Sequence, residues 1–119
     1  MKKLVLGAAL LTPLTAIAQP YSESMADCAA LFQNAAQWVQ SDENSDKLMQ
    51  AARTWAAAAV EQSHSEGRPV SSDVMWDRID AKTESWEAKG LSFFLSEEFR
   101  DWTGYCRAFG RDRGIESNL

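Results

Sequence analysis

Apolar residues recur at intervals of three or four along most of the chain after position 20, which is the spacing of one face of an α-helix. Four segments show this pattern, and polar or Gly- and Pro-containing stretches separate them. We therefore predict helices over about 24–40, 46–65, 71–89 and 92–109. No stretch alternates apolar and polar residues as a half-buried strand would, so we expect an all-α fold.

The apolar side chains of each predicted helix lie on one face. These predicted core positions are Met25, Cys28, Phe32, Ala35 and Val39 in the first helix, Leu48, Ala52, Trp55 and Ala59 in the second, Met75, Ile79 and Trp86 in the third, and Leu95, Phe99, Trp102, Cys106 and Phe109 in the fourth. Because the connections are short, the simplest arrangement is a small antiparallel up-down four-helix bundle. In that topology the first and last helices are neighbours.

Polar residues and a glycine predict the ends of the first two helices. Ser24 followed by Asp27 resembles a capping box, which predicts a helix start at Ser24. Asn44 or Ser45 can cap the second helix. Gly67 is expected to end that helix, because glycine adopts the left-handed conformation without steric cost.

The fourth segment contains an early serine and two glycines. Ser96 has the character of an N-cap, which leaves residues 91–95 as an apolar lead-in or a separate short turn. Gly104 lies inside the helix, where glycine costs up to about 1 kcal/mol relative to alanine, and we expect close packing of another backbone to compensate. Gly110 is expected to cap the helix, and the chain from about 111 to 119 is expected to fray.

The chain begins with a pattern typical of an export signal. Lys2 and Lys3 precede an apolar run of about 15 residues, and Ala16-Ile17-Ala18 supplies the small residues that signal peptidase recognises. We predict that residues 1–18 are a cleaved signal peptide and that 19–119 form one helical domain in the periplasm or outside the cell. The run is shorter than the roughly 20 residues that span a bilayer, so no stable membrane insertion is expected after cleavage. An uncleaved amphipathic anchor is the alternative.

The balance of charges narrows the class of partner. The full chain has a formal net charge of −5, and loss of Lys2 and Lys3 with the signal would make it −7, because all 17 acidic residues follow Ala18. Nucleic acids and anionic membranes attract clustered cationic residues, so neither is an expected partner. A protein or a small ligand is expected instead, and no oligomeric state is indicated.

Two cysteines are the chain's only candidates for a covalent cross-link. In an oxidising compartment Cys28 and Cys106 most often pair, and both lie on predicted apolar faces. The loop they close contains 79 residues, for which the chain-entropy model gives roughly 4–5 kcal/mol of stabilisation. Redox-active pairs usually lie much closer together, as in Cys-x-x-Cys. We therefore predict a structural disulfide between the first and last helices.

Two features are candidates for a binding surface. The first is a stripe of carboxylates at helical spacing along the third helix, formed by Asp73, Asp77, Asp80, Glu84 and Glu87. Such a stripe is either an ordinary solvated face or a surface for a basic partner, since a Ca²⁺ site requires oxygens that converge from a bent loop. The second is a pair of tryptophans, Trp38 and Trp76, on the shoulders of their apolar faces. They are either half-buried core or part of an interface.

No recognised catalytic motif is present. The chain lacks Gly-x-Ser-x-Gly, Ser-x-x-Lys and a Gly-rich phosphate loop, and its one histidine, His64, lies among polar residues. We predict no catalytic residue, no metal site and no cofactor. The expected function is that of an exported, non-catalytic binding or interaction protein. The alternatives are an enzyme or accessory subunit with an unrecognised acidic active site, which should hold a carboxyl group of raised pKa in a pocket, and a structural or holdase-type envelope protein.

Overall fold

The computed structural model describes residues 19–115, and over that range it is all-helical, as the apolar pattern predicts. Its helices are α1 (Tyr21–Ala36), α2 (Asp42–Ser65), α3 (Ser72–Glu87), α4 (Leu91–Phe94) and α5 (Glu97–Arg113). The predicted signal peptide, residues 1–18, lies outside the described residues. None of these five helices has both the length and the apolar character needed to cross a membrane.

Helix α1 is the centre of this structure. Twelve of its 16 residues are buried, and it contacts α2, α3 and α5. Most of the buried side chains are small, and five of them are alanines, so neighbouring helices can pack closely on several sides. Burial on nearly all sides differs from the single apolar face that the sequence pattern predicted for this helix. A helix that is largely apolar all round belongs in a protein interior.

Helix α2 makes the most extensive contact with α1. At one end the Ser45 hydroxyl donates to the Ala36 carbonyl at 2.9 Å. At the other end the Glu66 carboxylate accepts hydrogen bonds from the Ser22 N–H at 3.1 Å and the Ser22 hydroxyl at 2.6 Å. Burial raises the pKa of Glu66, but the hydrogen bonds from Ser22 and Gln62 outweigh it and hold the pKa below its ordinary value. The ionised carboxylate therefore fixes the start of α1 against the end of α2.

A covalent link joins α5 to α1. Cys28 and Cys106 form the predicted disulfide, with their Cα atoms 5.7 Å apart, and both residues are fully buried. Helix α5 meets α3 through large aromatic side chains, since the rings of Trp86 and Trp102 lie edge-on with centroids 5.5 Å apart. The contacts of the described helices are thus concentrated on α1, and α3 meets α5 through their tryptophans.

Helix α1 begins earlier than the sequence predicted. It starts at Tyr21, directly after Pro20, and no side chain caps it through a hydrogen bond. Ser24, the predicted cap, is buried inside the helix, where its hydroxyl accepts from the Gln19 side-chain amide at 3.0 Å. Proline suits a helix start because the first N–H groups of a helix have no partner within it. The capping-box prediction at Ser24 is therefore wrong.

The ends of α2 are partly as predicted. It begins at Asp42 instead of near position 46, because Ser41 is the cap, and the Ser41 hydroxyl accepts from the Asn44 N–H at 3.2 Å. Gly67 ends the helix as predicted and has a φ of 79°. The N–H of Arg68 donates to the carbonyl of Ser63 at 3.1 Å, which is the hydrogen bond of a Schellman motif.

The segment before Ser96 forms a helix of its own, α4, which is why the structure has five helices where four were predicted. Ser96 caps α5 as predicted, and its hydroxyl accepts from the Phe99 N–H at 3.1 Å. Gly90, with a φ of 68°, turns the chain between α3 and α4. Leu95 was predicted to be core but follows α4 and is 65% exposed.

The close approach expected at Gly104 occurs at Gly110 instead. A Cβ atom added at Gly104 would have no neighbour within 4 Å. A Cβ added at Gly110 would lie 3.2 Å from Cζ2 of Trp55 and 3.2 Å from the carbonyl oxygen of Ile115. Gly110 is therefore a packing residue inside α5 and does not cap it. The cap is Gly114, which has a φ of 71°.

These two glycines provide a matched test of the packing. Gly110→Ala is expected to lower the free energy of unfolding by about 1–3 kcal/mol, because the added methyl group overpacks the contact with Trp55. Gly104→Ala is expected to raise it by roughly 0.5–1 kcal/mol, because alanine favours an open helical position. Urea denaturation of both variants measures the difference, and equal effects of the same sign would contradict the packing described here.

Candidate functional site

Three of the five acidic side chains predicted as a binding surface line one groove, which we call the acidic groove. Asp80, Glu84 and Glu87 stand at spacings of four and three residues, so they follow one another along α3, and the groove has a volume of about 480 Å³. Its other lining residues are Gln33, Ala36, Gln37, Ser45, Met49 and Thr83. The groove therefore lies where the end of α1 and the start of α2 meet α3.

Gln33 connects α1 to the acidic wall of this groove. Its side-chain amide donates to a carboxylate oxygen of Asp80 at 3.0 Å and to the hydroxyl of Thr83 at 3.0 Å. The Thr83 hydroxyl in turn donates to the Ile79 carbonyl within α3 at 2.9 Å. These hydrogen bonds hold the Asp80 carboxylate in place and fix the distance between α1 and α3 at the groove.

The acidic groove has no positive charge of its own. No lysine or arginine is among its lining residues. The ion pairs within residues 19–115 lie elsewhere, and they join Lys47 to Glu43, Lys89 to Glu98 and Arg113 to Asp112. Three carboxylates that line a groove without a counter-charge produce a negative potential that attracts cations. The groove is thus suited to a basic side chain or another organic cation.

The remaining predicted surface residues lie outside this groove. Asp73 and Asp77 are exposed on α3 and do not line it. Trp76 is half-buried and packs against the core, and Trp38 is half-buried after the end of α1. The large apolar side chains that the structure does expose are different ones, namely Tyr21, Val74, Leu91, Leu95 and Tyr105. Neither of the two tryptophans therefore lines the acidic groove.

A second groove, with charges of both signs, lies between α1 and α3. It has a volume of about 400 Å³ and is lined by Gln19, Glu23, Ala26, Asp27, Arg78 and Lys82. Burial raises the pKa of Asp27 above its ordinary value, a nearby Lys82 and a hydrogen bond from Gln19 oppose this, and Glu23 adds to it. The sequence pattern indicates only a capping role for Asp27, because the proximity of Asp27 to α3 is a tertiary feature.

The opposite charges of this mixed groove do not form ion pairs with one another. No ion pair within the described residues includes Asp27, Glu23, Arg78 or Lys82. The Lys82 ammonium lies 5.0 Å from the centroid of the Trp86 ring, an arrangement stabilised by the ring's electrons. A carboxyl group of raised pKa beside two cations is the kind of group that can exchange a proton with a bound ligand.

The described residues contain few other chemical groups that converge. His64 is exposed at the end of α2. Within residues 19–115, no set of three or more His, Cys, Asp and Glu side chains is placed to hold a metal ion. Both cysteines are used in the disulfide. The two grooves beside α1 and α3 bring carboxylate, amide and hydroxyl groups together in concave surfaces.

Comparison with protein-family models, with curated proteins and with solved structures finds no match to this chain.

Asp27 gives the structure a distinctive dependence on pH. The pKa of Asp27 is raised on folding, so the folded state binds the Asp27 proton more tightly than the unfolded state does. The stabilisation that this proton provides is therefore lost as the pH rises through the pKa of the folded state. Asp27→Asn is therefore expected to melt at a higher temperature than the wild type at about pH 7. The two melting temperatures should converge near pH 3, below the ordinary pKa of 3.8.

Thermal melts followed by circular dichroism across this pH range measure the effect. Asp77→Asn, which removes one exposed carboxylate from α3, controls for the change in net charge. An Asp27→Asn protein that is less stable than the wild type at neutral pH would show that the carboxylate is held in its charged form.

Proposed function

We propose that this protein is an exported, non-catalytic binding protein whose acidic groove receives a basic segment of a partner protein. The observation that carries the proposal is the set of three carboxylates, Asp80, Glu84 and Glu87, that line one groove with no cation among them. A lysine or arginine side chain entering the groove would supply the missing positive charge.

The shape and composition of the groove favour a side chain over a bare ion. Met49 and Ala36 line it beside the carboxylates, so the aliphatic stem of a lysine or arginine would contact apolar atoms while its charged end meets the acids. Gln33 is already hydrogen-bonded to Asp80, which means that part of the site is ordered before a partner binds. Ordering before binding reduces the entropy lost on association.

Export is part of this proposal. The disulfide between Cys28 and Cys106 is compatible with an oxidising compartment, and the sequence of residues 1–18 predicts a signal peptide. We also propose that the four longer helices are arranged as an antiparallel up-down bundle around α1. Hydrogen bonds at both ends of the α1–α2 pair support this for those two helices.

An enzyme is the second candidate, and one specific observation favours it. Asp27 is a carboxyl group of raised pKa in a groove beside Arg78 and Lys82, as expected of a general acid. The two candidates make different predictions for Asp27→Asn. The variant should bind a basic segment normally if the acidic groove is the functional site, whereas it should lose function if Asp27 carries out chemistry.

Isothermal titration with a ten-residue lysine peptide at about 0.15 M salt, where the Debye length is about 8 Å, tests the acidic groove. Asp80→Asn/Glu84→Gln is expected to weaken binding by about tenfold or more, because two charge contacts are lost. The matched control is Asp73→Asn/Asp77→Asn, which makes the same change in charge on the same helix outside the groove. This control is expected to change the affinity by less than about threefold, because salt screens exposed charges that do not contact the peptide.

The two double variants separate a binding site from general electrostatic attraction. Equal weakening by both would mean that the peptide responds only to net charge, and this would overturn the proposal. A wild-type protein that does not bind the peptide would overturn it as well. Circular dichroism melts of each variant confirm that the fold is retained.

A further inference from the structure

Aromatic side chains form a continuous series of contacts along α5. Neighbouring rings lie with their centroids 5.0 to 5.8 Å apart, from Phe94 at one end through Trp86 and Trp102 to Tyr105 and Tyr21 at the other. Part of this series is at the surface, since Tyr105 is 44% exposed. The protein therefore presents aromatic faces to solvent beside its core.

The chain covers several of these faces with its own cations. The charged groups lie 5.0 Å, 5.6 Å and 4.2 Å from the ring centroids in the pairs Lys82–Trp86, Lys89–Phe93 and Arg113–Tyr21. The electron-rich face of an aromatic ring attracts a cation in this way. Within the described part of the chain, no lysine or arginine lies over Trp102 or Tyr105. Trp102 and Tyr105 are thus two adjacent rings of the series without such a cation among the described residues, as are Phe94 and Phe99.

Trp102 and Tyr105 line a pocket of about 240 Å³ together with Asp101 and Ser24. The two ring planes stand at 87° to each other with their centroids 5.8 Å apart, so they form two walls that meet at a right angle. Asp101 is one helical turn before Tyr105, which places both on the same side of α5. Among residues 19–115, Asp101 takes part in no ion pair. We call this site the aromatic pocket.

We propose that the aromatic pocket binds a quaternary methylammonium group, such as the trimethylammonium group of choline. Binding in the aromatic pocket does not depend on the acidic groove, because the two sites have no lining residue in common. The two ring faces would contact the methyl groups, over which the positive charge is spread, and the Asp101 carboxylate would supply the opposite charge. Recognition of quaternary ammonium ions by aromatic side chains works through this combination.

The hydrogen-bonding capacity of the pocket favours a methylated cation over a primary ammonium. A primary ammonium has three N–H donors that must find acceptors when water is removed, whereas a quaternary ammonium has none. The Ser24 hydroxyl already accepts a hydrogen bond from the Gln19 side chain at 3.0 Å. The Asp101 carboxylate and the Tyr105 hydroxyl are the other acceptors among the lining side chains. The two aromatic rings offer faces that suit methyl groups better than N–H groups.

Titration of the intact protein with choline, followed by NMR and by calorimetry, tests the proposal. The control ligand is 3,3-dimethylbutan-1-ol, which has the shape of choline without its charge. We expect saturable binding of choline and at least about tenfold weaker binding of the alcohol, because the alcohol loses the attraction to the ring faces and to Asp101. Equal binding of the two ligands, or no saturable binding of choline, would overturn the proposal.

Variants at the pocket separate the aromatic faces from the fold. Tyr105→Leu and Asp101→Asn are each expected to weaken choline binding by about tenfold. Tyr105→Phe keeps the ring and should retain choline binding within about threefold. Asp73→Asn removes one carboxylate far from the pocket in the sequence and controls for the change in net charge. Choline binding that survives Tyr105→Leu in a protein that melts normally would contradict the assignment. Trp102 is left intact because it packs against Trp86.

The same chemical group occurs on free solutes and on lipid headgroups. Sedimentation with vesicles of phosphatidylcholine, compared with vesicles of phosphatidylglycerol, distinguishes the two sources. Retention on phosphatidylcholine alone, lost in Tyr105→Leu, would assign the site to a lipid headgroup. Choline binding without retention on either vesicle would assign it to a free solute. Saturable binding of N-acetylglucosamine in place of choline would overturn the proposal. A neutral sugar packs against aromatic rings but has no positive charge for the ring faces to attract.

Discussion

The burial of α1 on nearly all sides is the constraint on which the rest of the structure depends. Its small side chains allow three other helices to pack against it, and it is tied to each of them by a specific link. Ser22 is hydrogen-bonded to Glu66 at the end of α2, Gln33 to Asp80 on α3, and Cys28 to α5 through the disulfide. Because the links lie at the start, the middle and the end of α1, no neighbouring helix can shift without straining one of them.

The same arrangement explains where the concave surfaces lie. The few side chains of α1 that reach solvent include Glu23, Asp27 and Gln33, and each lines a groove beside α3. Ser24 contributes to the aromatic pocket beside α5. Every one of these three sites therefore has α1 as one wall and a more exposed helix as the other. The buried helix supplies a rigid support, and the outer helices supply most of the charge and the exposed aromatic rings.

Local signals in the sequence predicted the helical class, the disulfide, the cap at Ser96 and the end of α2 at Gly67. Those features depend on residues close together in the chain or on simple chemistry. The central position of α1 was missed because alanine fits either a buried or an exposed face, so its periodicity is ambiguous. The roles of Gly110 and Asp27 were missed for a related reason. Each depends on a neighbour in another helix, Trp55 in one case and Lys82 in the other, and sequence spacing alone does not show such contacts.

Native-state hydrogen exchange, resolved by residue, tests the central role of α1 most directly. If the other helices depend on it, the amides in the middle of α1 should exchange only through global unfolding, with the highest protection in the protein. The amides of α4 and of both ends of α2 should exchange through local opening at lower free energy. Protection of α1 below that of α2 and α5 would contradict the account, because it would mean that α1 can detach while the rest of the protein stays folded.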